Sequence, residues 1–163
     1  MKIGLRIFIL YISSLLIGCS GMRMADLSAQ REFTFDFNIP NKSQAQIWKN
    51  ARDFFSESFV DSREVFRIMD EKEGTFIGKG IATWSLSMNR CLTEYHVRFV
   101  AKDEKARLQF ELINGVPLGS PCIGWPWPSV DGYNKIIESF KTAANEMGFT
   151  LKTKSKINKL KDF

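Results

Sequence analysis

Two stretches separated by a four-residue polar turn constrain the fold more than anything else in the chain. Tyr95, Val97 and Phe99 alternate with Glu94, His96 and Arg98. After Lys102-Asp103-Glu104-Lys105 the alternation resumes, with Ala106, Leu108, Phe110 and Leu112 set against Arg107, Gln109 and Glu111. A period of two sends the apolar set to one side of a strand and the polar set to the other. The pair therefore reads as an antiparallel hairpin, Leu92 to Lys102 and Ala106 to Leu112, with one dry face and one wet face. A dry sheet face requires a cover, and the rest of the chain supplies strands to widen it and helices to bury it.

Upstream, Phe33, Phe35, Phe37 and Ile39 alternate with polar residues in a first strand that Pro40-Asn41 ends. Ser43 and Gln46 form a capping-box pattern opening a helix, along which Ile47, Trp48, Ala51, Phe54, Phe55 and Phe59 recur at helical spacing. Such an aromatic stripe is core material before it is a ligand site. Glu64 to Asp70 and Thr75 to Leu86 are two further strands. In the second, Gly78 and Gly80 share a face with Phe76, Ala82, Trp84 and Leu86. Glycines on a buried strand face mark a close approach, so a helix or a bulky ring is expected over them. A last helix begins near Ser129 or Asp131 and carries Tyr133, Ile136, Ile137, Phe140, Ala143, Ala144 and Met147 on one side. Gly148 followed by Phe149 reads as its stop. The predicted class is α+β: a single antiparallel sheet with two helices on one face, in the order β-α-β-β-β-β-α.

The ends of the chain tell a different story from its body. Lys2 and Arg6 precede an apolar run from Ile7 to Ile17, followed by small residues. This is the pattern of an export signal, and it is shorter than the roughly 20 residues a spanning helix needs. Leu16-Ile17-Gly18-Cys19 resembles the lipobox of bacterial lipoproteins. The resemblance implies removal of residues 1–18, acylation of Cys19 with chains such as palmitate, and a durable hold on the membrane, each buried methylene adding about 0.8 kcal/mol. With Ser20 rather than aspartate after the cysteine, it implies, by the sorting rule of enteric-type bacteria, the periplasmic side of the outer membrane in the cell envelope; other bacteria sort by other rules, which leaves inner and outer membrane both open. Residues 19–31 then read as a lipidated tether, 32–150 as the domain and 151–163 as a basic flexible tail. The formal charge of +5 belongs to these ends: residues 19–150 sum to −1. A near-neutral body argues against nucleic acid as a partner.

With Cys19 given to lipid, Cys91 and Cys122 remain, an even number for an oxidising compartment. They read either as a disulfide closing a loop of about 30 residues, worth roughly 3 kcal/mol, or as two free thiols; sequence does not supply the Cα separation that decides. Neither has a nearby cysteine or histidine to make a metal site. Cys122 lies in a long loop, residues 114–130, that holds four of the five prolines and the run Trp125-Pro126-Trp127-Pro128. Tryptophans on a stiff loop present binding area at low entropic cost, which makes Trp125 and Trp127 the candidate partner-binding residues. The competing reading is a loop folded back over the sheet edge or the helix ends.

No phosphate loop, nucleophile elbow, zinc helix motif or dinucleotide fingerprint is present, so no catalytic residue, metal or cofactor is assigned. The one histidine, His96, falls on the wet face between Glu94 and Arg98, with Arg107 and Glu111 across the hairpin. An enzyme with its site there is the alternative to a non-enzymatic envelope lipoprotein that binds a protein or glycan partner or supports an assembly.

The residues Phe76-Ile77-Gly78-Lys79-Gly80, the hairpin Arg98 to Arg107, and Trp48 with Phe54-Phe55 carry a further resemblance. Over roughly Phe33 to Met147 the chain resembles a family of uncharacterised bacterial exported proteins and lipoproteins with a TATA-binding-protein-like fold. It departs from that family by inserting Cys122 and the tryptophan-proline loop. The resemblance implies the fold and no activity, and a fold name by itself implies no DNA binding.

Overall fold

In the computed structural model, which describes residues 23–58 and 65–153, the alternating segments form one five-stranded antiparallel sheet in the order β1-β5-β4-β3-β2. The strands are β1 (Glu32–Asn38), β2 (Val65–Asp70), β3 (Thr75–Leu86), β4 (Asn89–Lys102) and β5 (Lys105–Leu112), and the helices are α1 (Gln44–Ser58) and α2 (Val130–Lys152). This is the α+β architecture the alternation predicted. Phe59 and Glu64, expected at the ends of α1 and β2, lie outside the described residues, as do the export signal, Cys19 and residues 154–163.

The core lies between the sheet and the two helices and is built on rings. Trp48 and Phe55 of α1 lie against Phe76, which stacks on Phe99 with ring centroids 5.2 Å apart. Under α2, Phe140 stacks on Phe110 at 4.3 Å and meets Tyr95 edge-on at 5.0 Å. Such pairs add about 0.5–1.5 kcal/mol beyond the area they bury. A bulky ring does cover a strand glycine: Gly80 pairs with Tyr95 across the β3–β4 ladder, and a Cβ at position 80 would overlap the tyrosine ring.

Local chemistry sets the helix starts. Ser43 N–H donates to Gln46 Oε1 at 3.0 Å, and Gln46 N–H turns back to Ser43 Oγ at 3.4 Å, the reciprocal box expected from Ser-x-x-Gln. Ser129 caps α2 by accepting from Gly132 N–H at 3.1 Å. β4 begins three residues before the expected Leu92, because the β3–β4 ladder continues to Leu86 and Asn89 and closes through Ser87 and Met88, with Ser87 at φ 53°.

Three expectations need correction. Gly148 does not stop α2, which continues to Lys152. The glycine is there for closeness: a Cβ would come within 3.0 Å of the Phe37 ring. The Phe149 side chain is exposed and adds no apolar contact to the cap, although its carbonyl accepts from Thr153 N–H at 3.0 Å. Leu151 is fully buried and holds the last turn on the core, so the basic tail cannot begin at residue 151. Lys42 Nζ donates to the carbonyl of Thr153 at 3.0 Å as the helix ends. Finally, residues 23–31 are not a free tether. Met24 bridges Ser129, Ala25 N–H donates to Pro128 O at 2.9 Å with Ala25 buried, and Tyr133 Oη donates to Gln30 O at 2.7 Å.

The molecule consequently has two distinct ends. At one end lie segment 23–31, the β3–β4 turn, the 113–129 loop and the N-terminus of α2, whose Gly132 sits on Trp84. At the other lie the N-terminus of α1, which takes Asp103 as a partner at Gln44 N–H, and the C-terminus of α2.

Candidate functional site

Among the described residues the wet face of the sheet carries no helix, and its charged residues are ordered by strand register. The row Glu111, His96, Lys79 crosses β5, β4 and β3, and the next row outward begins with Glu94. His96 is flanked on both ring nitrogens, with Nε2 4.0 Å from Glu94 Oε1 and Nδ1 3.9 Å from Glu111 Oε2. Glu94 also pairs with Lys79. These distances are ion-pair range and too long for hydrogen bonds. Of the neighbours expected around His96, the structure brings Glu94 and Glu111 together with it. Arg98 instead pairs in register with Ile77 and Gln109, and Arg107 lies two rows away.

Arg107 has its own partner, which the sequence did not reveal. Its guanidinium grips Asp36 of β1 through two bonds, of 2.6 and 2.9 Å. The hydrogen bond holds the Asp36 carboxyl below its ordinary range and the guanidinium above its own. The pair bounds a groove of about 460 Å³ with Val100, Lys102 and Lys105. Finding it required the β1–β5 register, and no pattern in β1 alone specifies which strand it will join. Among the described residues no group of three or more His, Cys, Asp or Glu side chains is arranged to hold a metal ion.

The tryptophan-proline loop is folded down onto the domain. Cys91 and Cys122 are joined as a disulfide with Cα atoms 5.5 Å apart, which pins the loop to the first residues of β4. Ser120 Oγ adds a bond from Leu92 N–H at 3.2 Å. Trp127, expected as a partner-binding residue, is fully buried, with the Arg31 guanidinium 5.1 Å above its ring and Tyr133 beside it. The proline on each side of Trp127 and the docked Arg31 turn its ring inward, so it has no surface to offer a partner. Trp125 is half-buried, edge-on to Trp84. What the loop exposes instead is Leu118 and Ile123.

The model of a domain of unknown function with TBP-like fold, DUF4468, matches residues 33–114. Two solved structures share the fold. A DUF4468 family protein from Bacteroides ovatus is 18% identical, with 88% of this chain and 96% of that one aligned at a TM-score of 0.52. A TBP-like protein from Parabacteroides distasonis is 10% identical, with 76% and 96% aligned at a TM-score of 0.54. No curated protein matches the sequence. The matched region begins at Phe33 of β1 and ends just past β5, taking in α1 and all five strands; since it makes up half of the chain, the protein belongs to the DUF4468 family of domains with a TBP-like fold.

Proposed function

We propose that the protein is a membrane-anchored bacterial envelope lipoprotein, held through acyl groups on Cys19, whose domain is a non-enzymatic binding or structural module. The observation that carries this reading is the charge, length and small-residue pattern that ends at Leu16-Ile17-Gly18-Cys19. Two features support it. The disulfide between Cys91 and Cys122 suits an oxidising compartment such as the periplasm. The wet sheet face offers a broad polar surface with Ile68 and Ile77 exposed among its charges, a surface suited to an envelope protein or a glycan rather than to a small substrate that needs enclosure. Ser20 supports placement on the periplasmic side of the outer membrane.

Intact-mass analysis of the protein from its native membrane tests the anchor. The expected mature chain starts at an acylated Cys19, and Cys19→Ala releases the protein from the membrane fraction. An unprocessed start, or a wild-type chain that remains in the cytosol, defeats the reading. The position of His96 between two carboxylates favours one alternative, an enzyme with its site on the wet face. An unchanged envelope phenotype for His96→Ala removes it.

A further inference from the structure

The three most exposed large apolar side chains among the described residues are Leu118, Met88 and Ile123, at 103%, 99% and 82% exposure. Each stands at the corner of a tight turn. Ser120 N–H donates to Pro117 O at 3.1 Å with Gly119 at φ 85°, which makes Leu118 the first corner residue. Trp125 N–H donates to Cys122 O at 2.9 Å, which puts Ile123 in the same position of the next turn. Met88 belongs to the two-residue turn between Leu86 and Asn89. Turn corners ordinarily carry Gly, Pro, Asn, Asp or Ser. A single exposed apolar residue requires no explanation. These three, however, sit on two segments that the Cys91–Cys122 bridge ties together, with Cys122 adjacent to Ile123 and Cys91 three residues after Met88.

The same end of the domain receives the N-terminal segment. Val130 N–H donates to Arg23 O at 2.9 Å, so the chain is already docked at residue 23. Three residues separate Arg23 from Cys19, four Cα-to-Cα steps with an extended reach of at most roughly 14 Å. The polar layer on each side of a bilayer's hydrocarbon is about 5–8 Å thick. A lipid on Cys19 therefore brings this end, and no other, down to the headgroups. Cations lie next to the tips: Arg23 and Arg90 are exposed at this end, with Asp26 and Asp131 exposed farther along it, and a recess of about 300 Å³ beside Met88 is bounded by Arg90 and Lys135 and by no carboxylate. Apolar tips with cations beside them fit acyl chains beneath anionic phosphate headgroups.

We infer that Met88, Leu118 and Ile123 insert into the bilayer that Cys19 anchors, so that the domain stands on the membrane by its disulfide-linked loop end. The inference rests on the lipid-anchor reading and adds an orientation to it. The wet sheet face is then held roughly upright and open to the periplasm. The 23-residue α2 ends about 35 Å away from this end.

The test uses the acylated full chain in phosphatidylethanolamine–phosphatidylglycerol vesicles with brominated acyl chains. Of the four tryptophans, Trp84, Trp125 and Trp127 belong to the loop end and Trp48 lies in α1 against Phe76, so the difference in quenching between wild type and variant reports the depth of the loop end. Wild type is expected to be quenched. Met88→Ser/Leu118→Ser/Ile123→Ser, still acylated and vesicle-bound, is expected to lose most of that quenching with an unchanged unfolding midpoint. Should the triple variant fail to fold, Leu118→Ser alone reads the same loss at a side chain that packs against nothing. Equal quenching in wild type and variant, or none in either, overturns the inference. Intact mass reports the anchor independently. If the chain carries no acyl group the anchor reading fails by itself, and vesicle co-sedimentation of the unmodified chain then decides: about tenfold weaker binding by the triple variant supports insertion, and equal binding overturns it.

Discussion

The indole N–H of Trp84 donates to the hydroxyl of Thr93 at 2.9 Å, diagonally across the β3–β4 ladder and wholly inside the core. This one bond orients the ring on which two later parts of the chain rest, Gly132 at the start of α2 and the edge of Trp125. Thr93→Val keeps the shape and removes the acceptor, leaving a buried donor without a partner. The expected loss is about 1–3 kcal/mol of unfolding free energy. Thr93→Ser keeps the hydroxyl and is expected to cost about 0.8 kcal/mol, the worth of one buried methyl. Urea unfolding with unchanged slope measures both. Equal costs for the two variants would show that the bond contributes nothing beyond packing.

The disulfide makes a second prediction. Cys91 and Cys122 are 31 residues apart in sequence and both are buried. Cross-linking over that separation restricts the unfolded chain by roughly 3–4 kcal/mol. Cys91→Ala/Cys122→Ala is expected to lose about that amount in denaturant unfolding, and the wild type with reductant is expected to match it. Because the bridge also pins the 113–129 loop, amide exchange at Ser120 and Trp125 should accelerate more in the variant than exchange in β5.

What was readable in the sequence divides along a physical line. Strand positions and inward faces followed from period-two alternation, and the start of α1 followed from Ser43 and Gln46, because those signals lie within a few residues of one another. The sheet order, the Asp36–Arg107 pair and the choice between a bridge and two thiols depend on which distant segments meet, and local pattern carries no such information. Gly148 shows the same limit in another form. A glycine late in an amphipathic run has two readings, a left-handed stop or a close approach, and only the presence of Phe37 beneath it decides. Of the two readings of Trp127, partner surface or folded-back loop, the second holds, and sequence could not choose because burial of a loop residue depends on what folds over it, here Arg31 from a segment without a sequence period.

The Asp36–Arg107 pair gives a pH dependence whose sign follows from the shift. The folded state lowers the Asp36 pKa through the Arg107 hydrogen bond. The pair's contribution is therefore complete above the unfolded carboxylate value of about 3.9 and is lost as pH falls through the lower folded value. Both side chains are solvent-exposed, so the effect is small and screened by salt. The difference in unfolding midpoint between wild type and Asp36→Asn is expected to shrink on acidification below about pH 4 and on raising salt to about 1 M. A difference that persists under both conditions would assign the cost to lost packing instead.

Gly80 and Tyr95 provide the sharpest packing test. The space above Gly80 is filled by the tyrosine ring, and the ring cannot swing aside freely, because Tyr95 is only 5% exposed and is held by Phe110 at 5.7 Å and Phe140 at 5.0 Å. Gly80→Ala gains the usual strand advantage of alanine over glycine and still is expected to destabilise by about 1–3 kcal/mol, because a methyl forced into a filled core displaces its neighbours. Tyr95→Leu opens that space at its own cavity cost. If the ring is the obstacle, the double variant should be more stable than the sum of the single costs predicts, with a coupling of about 1 kcal/mol or more in a double-mutant cycle. Additive costs would mean that Gly80 is required by the backbone rather than by Tyr95, and that the close approach read from Gly78 and Gly80 has a different cause.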